Sequence, residues 1–259
     1  MSKKEKKEEK NIDPSAQVLS IFVLVSVIFF VLKYVILRDN KGAQAMVGVF
    51  ALYLIVIGVS AIVLNNKAIK SKCGEENFGM AFLATLVPWG LIFGMLNLVL
   101  IMFPGWKAPF SNTFGYLIVK LAGLSDILNN TLKSKAGKSE ERGVNEMITK
   151  IYTDKSLLVN EITPDNFQEF WDSMRKGNLL TTKANDFKDK LRGLIILKDV
   201  VSEFIWYILT GLIITTLSSN YISSVKCAPS SEYLEKKHKD WLEKGKEAKK
   251  AGKIYYETD

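Results

Sequence analysis

Histidine is almost missing: the 259 residues contain one, His238, and cysteine is limited to Cys73 and Cys227. Zinc sites and Ser-His-Asp triads need these residues in greater supply, which argues against both, and His238 reads as a solvated side chain in a Lys-rich tail. No GxxxxGK[ST] or GxGxxG occurs, so nucleotide binding has no support. The stretch 154–165 lies between two helical patterns as a calcium loop would. Leu158 and Val159, however, stand where an oxygen ligand and a glycine are required. Arginine is not clustered and no recognition module is visible, so specific nucleic-acid binding is not expected. The chain reads as a non-enzyme with no cofactor and no metal.

Long uncharged runs, by contrast, are plentiful. A hydrocarbon core of about 30 Å needs roughly 20 helical residues. Val18–Leu37 supplies 20 residues interrupted only by Lys33, which lies close enough to the end to snorkel. Ala43–Leu64 supplies 22 residues without a charge, and Phe78–Phe103 is a third uncharged run with Pro88 and Asn97 inside it. None shows the polar face of a soluble helix. The first run is too long for a signal-peptide core and has no small-residue cleavage pattern, so it reads as an anchor. A fourth apolar core, Phe204–Leu217, spans if extended to Val200–Ile222 with Glu203 at the headgroup level; a buried or interfacial helix is the alternative.

The expected fold class is therefore all-α: an integral membrane protein with about four transmembrane helices and a small helical extramembrane segment. Residues 1–17 form a charged flexible tail and 18–103 the first three spans. Residues 104–192 hold an interfacial segment and a small helical domain, 193–225 the fourth span, and 226–259 a charged C-terminal tail.

Within the polar segment, Val144, Met147, Ile148, Ile151 and Tyr152 recur at helical spacing. The next helix is punctuated by Thr163 as N-cap, Pro164 at its first position and Gly177 beyond its end. Its stripe is Phe167, Phe170, Trp171 and Met174, a candidate partner-binding face or domain core, expected to pack on Val144, Ile148 and Ile151. A further helix from near Thr182 runs into the fourth span. Trp106, Lys107 and Phe110 beside Pro104 and Pro109 suit the membrane interface. The prolines imply a change of chain direction.

Four spans put both termini and the 65–77 loop on one side, together with both cysteines. Free thiols are the default state of Cys73 and Cys227, with a disulfide or palmitoylation as the other readings. Lys and Arg near the span ends number twelve on that side and eight on the other, which favours cytoplasmic termini. Asp199 and Glu203 share a helix face at one end of the fourth span. They read as an interfacial rim, or as the entrance of an ion pathway together with Asn97. In the third span, Pro88 and Asn97 read as a packing kink with an interhelical hydrogen bond. The formal charge of +8 suits anionic headgroups or an acidic partner surface.

At Ile101–Tyr116, IMFPGWKAPFSNTFGY, and in its Lys-rich tails and short helix hairpins, the chain resembles multi-span virion membrane proteins of nucleocytoplasmic large DNA viruses. That resemblance implies a component of the internal membrane of an icosahedral virion, with polar parts contacting minor capsid proteins and no catalytic residue to carry over. The functional expectation is a structural membrane scaffold that binds the lipid bilayer and protein partners, with self-association into an oligomer left open. A small ion channel or transporter is the rival.

Overall fold

Among the described residues, four helices are long and apolar enough to cross a bilayer. The structure is a computed structural model describing residues 14–39, 42–133, 155–227 and 231–250. Helix α1 (Pro14–Arg38) and helix α2 (Ala43–Cys73) form the expected antiparallel hairpin. Helix α2 continues past Leu64 because neither Gly nor Pro interrupts it before Gly74, which takes the left-handed conformation (φ 82°) and returns its N–H to the Lys70 carbonyl. Helix α3 (Phe78–Met102) then starts on Asn77, whose side chain accepts the Met80 N–H.

Pro88 marks the middle of α3. A proline has no N–H to give the carbonyl four residues back, and the helix widens to π geometry over Pro88–Phe93. The Ala84 carbonyl left without that donor accepts the Ser218 hydroxyl of the last span instead, at 2.8 Å. Asn97 donates to the Phe93 carbonyl of its own helix at 2.8 Å rather than to a neighbouring helix, so the expected interhelical bond is absent and the interhelical tie comes from Ser218.

The chain breaks at Phe103 and resumes as the irregular helix α4 (104–121), with one 3-10 stretch and one π stretch. Pro104 and Pro109 sit where short helical pieces begin, positions at which a missing N–H costs nothing. Helices α5 (Leu124–Thr131), α6 (Lys155–Asn160) and α7 (Phe167–Lys176) follow. The α7 start differs from expectation. Thr163 and Asn166 hydrogen-bond each other's backbone N–H, and Asn166 also donates to the Glu161 carbonyl, so 163–166 is held as a turn and Asn166 precedes the helix.

Helix α8 (Ala184–Ser224) is unbroken over 41 residues. At 1.5 Å per residue it is roughly 60 Å long, about twice the hydrocarbon thickness. Its first third closes the small unit: Leu191 and Ile195 join Val119, Leu128, Phe167 and Trp171 in one core. Ile196, Val200, Tyr207 and Ile214 belong instead to the bundle core, with Phe22, Phe29, Tyr53 and Phe93. Helices α1, α2 and α3 all pack on it, while Leu52, Ile55, Leu91 and Leu98 point outward, as a lipid-facing surface requires. Helix α9 (Ser231–Lys250) follows, with side chains 235–247 all exposed.

The expected partners of the α7 stripe, Val144, Ile148 and Ile151, lie outside the described residues. Among those described, Phe167, Trp171 and Met174 are buried against α4, α5 and α8, and Phe170 is partly buried beside them.

Candidate functional site

A bundle in lipid must satisfy every polar group internally. Apart from one hydroxyl pair in the middle of the bundle, Ser26 with Tyr53, the polar side chains that tie one span to another fall into two layers, one near each end. At the end carrying Gly74 and Cys227, Asn65 on α2 donates to Thr85 Oγ1 on α3 at 2.8 Å and to Ser218 Oγ on α8 at 3.0 Å. Ser218 in turn caps the carbonyl freed by Pro88. Three helices are thereby joined through buried atoms, with a cleft of about 350 Å³ alongside. Lys72 closes this end by donating to the carbonyls of Ile222, Ser223 and Val225 at 3.0, 2.5 and 2.8 Å, where α8 ends.

At the opposite end, which carries the small unit, two ion pairs hold the layer. Lys33 Nζ lies 2.6 Å from both Glu203 oxygens, and Lys107 Nζ 2.9 Å from both Asp199 oxygens. Lys33 thus turns inward to α8 instead of snorkelling, and the pair compensates two charges that lipid would leave unsolvated. Asp199 and Glu203 do share a helix face, but each is neutralised. A cleft of about 380 Å³ opens beside them, lined by Lys33, Lys107, Glu203, Asn97 and Tyr207.

Between the two layers the bundle is closed. Phe29 stacks on Tyr53 at 4.4 Å, Phe30 and Phe93 meet Tyr207 edge-on at 5.0 and 5.1 Å, and Phe22 lies against Trp89 at 5.4 Å. These rings come from all four spans, and the Ser26 and Tyr53 hydroxyls bond each other at 3.0 Å within them. Among the described residues this block is built of apolar and aromatic side chains around that one hydroxyl pair.

Trp106 and Phe110 both approach Trp206 of α8, at 6.4 and 6.1 Å, so α4 wraps the last span at the interface level. Lys198, one residue before Asp199, is buried in the small unit with its ammonium on the Val159 carbonyl at 2.5 Å. Gly115 packs directly against the Lys198 backbone: a Cβ there would meet its carbonyl oxygen at 2.6 Å.

The cysteines depart from the free-thiol default: Cys73 and Cys227 are joined by a disulfide with Cα atoms 5.3 Å apart. Helix α2 runs nine residues past Leu64, and this extension brings Cys73 to the chain leaving α8. Among the described residues no group of three or more His, Cys, Asp or Glu is placed to hold a metal ion.

Sequence reasoning missed Asn65, Ser218 and Tyr53 as interhelical ties, since uncharged polar residues in a span give no signal of their partners. Lys33 and Glu203 were within reach. They are the only opposite charges inside two spans, and a four-span topology puts both at the same end.

Compared with known proteins, the chain matches no family model, no curated protein and no solved structure.

Proposed function

We propose that this chain is a structural membrane protein: four spans anchor it, and a small helical unit carried rigidly on α8 docks protein partners at the membrane surface. The observation that carries the reading is the aromatic block from all four spans between the two polar layers. A channel or transporter needs a hydrated path or a site alternately open to both sides, and its pathway carboxylates must be available to the permeant ion. Here Asp199 and Glu203 are taken by Lys107 and Lys33. The unbroken α8 adds mechanical sense, because force on the small unit passes directly into the bundle. Through the likeness at Ile101–Tyr116, the proposed setting is the internal membrane of an icosahedral virion, with minor capsid proteins as partners.

Two measurements test this. The purified protein in liposomes should pass no cation current, and Asp199→Asn with Glu203→Gln should change nothing in that assay. Lysine-reactive cross-linking in the native membrane should join the small unit, through Lys176 or Lys183, to a neighbouring protein. A reproducible current abolished by the double substitution would replace the scaffold by the channel.

A further inference from the structure

Helices α1 and α8 run antiparallel along a seam from Phe22 and Gly211 to Arg38 and Arg192. On its outer side lies a groove of about 220 Å³ with no polar atom in its wall, lined by Val27 and Val31 of α1 and Leu197, Val201 and Phe204 of α8. Tyr34 closes its upper end and also lines a second cleft, of about 500 Å³, directly beyond. The chemistry changes at that ring. The second cleft is lined by Arg38, Lys190 and Arg192 with Asp39 and Asp189, so cations exceed carboxylates by one.

The depth of each part follows from the helices. Arg38 ends α1, five residues or about 7 Å beyond the Lys33–Glu203 pair. The charged cleft is therefore at headgroup level and the apolar groove at acyl level. The Tyr34 hydroxyl reaches over α8 at Gly193, 3.7 Å from where a Cβ would stand. Among the described residues the Arg38 guanidinium has no carboxylate within ion-pair distance, and the Lys190 ammonium rests over the Phe187 ring at 5.4 Å rather than on an acid.

We propose that this seam is a binding site for an anionic phospholipid, with the phosphodiester between Arg38 and Lys190 and one acyl chain in the groove below Tyr34. A phosphate accepts the fork of an arginine bidentately, and the groove requires a hydrocarbon chain attached to that phosphate. Neither half alone distinguishes a lipid from a soluble anion. Their junction at one tyrosine does.

The test uses the full chain in detergent, with binding followed by native mass spectrometry against phosphatidylglycerol and phosphatidylcholine of equal chain length. Phosphatidylglycerol should bind at least about tenfold more tightly, a difference of about 1.4 kcal/mol. Arg38→Gln with Lys190→Gln should remove that preference while leaving phosphatidylcholine binding unchanged. Val201→Trp, which fills the groove, should weaken both lipids. The two exposed cation positions keep the test open should the tryptophan disturb folding. Equal affinity for the two lipids, or a preference that survives the double substitution, overturns the proposal. Full competition by millimolar inorganic phosphate also overturns it, since it would make the cleft a soluble-anion site.

Discussion

Cys73 and Cys227, 154 residues apart in sequence, form a disulfide that ties the end of α2 to the chain leaving α8. The bond lies at the end of the bundle where Lys72 also holds the last carbonyls of α8. Disulfides persist in oxidising compartments and are rare in reducing ones. The count of positive residues near the span ends favours the cytoplasm for this same side, by twelve to eight. A covalent bond that must survive is the stronger constraint, because an excess of four charges is within what tolerated topologies carry. The termini side is therefore expected to face an oxidising space. On intact membranes oriented with that side outward, an impermeant maleimide should label neither cysteine until an impermeant reductant is added, and then both. Labelling without reductant, obtained only after permeabilisation, reverses the assignment.

The Lys33–Glu203 pair is expected to be worth little as a pair and costly to break. Both side chains are only about one-sixth exposed, at 16% and 14%. Replacing Glu203 by Gln leaves an ammonium below the interface without its counter-ion, at a cost of about 3 kcal/mol. Replacing both, as Lys33→Met with Glu203→Leu, should return the stability to within about 1 kcal/mol of the parent, since neither charge then needs solvation. Unfolding in mixed detergent micelles, run as a double-mutant cycle, reads the coupling. Additive losses would mean that the two groups do not meet.

Trp171→Ala tests whether the α7 stripe is core or partner surface. Trp171 is fully buried, with the Phe167 ring at 6.1 Å and the Lys188 ammonium at 5.7 Å. Truncation of such an aromatic typically costs 3–5 kcal/mol, about enough to open a unit of this size. Limited proteolysis should then cut within 155–183 much faster while the bundle stays intact. Phe170→Ala, at a half-exposed position, should change the digestion far less. Equal, small effects of both substitutions would move the stripe from core to partner surface.

What was legible in the sequence follows from what is local. The spans are written as nearly uncharged runs whose length matches the bilayer, and α8 as apolar spacing without a proline from Ala184 to Ser224. The α7 stripe was legible as a face, yet its start was not, because Thr163 and Asn166 compete for one capping role and only the Glu161 carbonyl decides between them. Partnerships across long separations were invisible where no charge marks them, as for Asn65 with Ser218 at 153 residues. The role of Pro88 was half-read. A kink was evident, but the Ala84 carbonyl that it offers to Ser218 exists only once α3 and α8 are side by side.

Gly211 is expected to be the position in the bundle least tolerant of any side chain. A Cβ there would fall 2.0 Å from the Phe22 ring, which is itself fully buried and lies tilted against Trp89 at 5.4 Å. Small residues let spanning helices approach closely, and here the approach is made by an aromatic edge lying against bare backbone. The ring cannot move aside without displacing Trp89, and Trp89 lies in the π stretch that Pro88 imposes. Gly211→Ala should therefore cost about 1–3 kcal/mol by overpacking, although alanine favours a helix more than glycine does. The cost should be relieved by shrinking the neighbour: Phe22→Leu in the Gly211→Ala background should recover at least half of the loss, whereas Phe22→Leu alone should destabilise. Opposite signs of the same Phe22 change in the two backgrounds are a signature that general helix propensity cannot produce. If Gly211→Ala proves neutral or stabilising in detergent unfolding, α1 and α8 do not meet at this residue, and the seam described above is out of register.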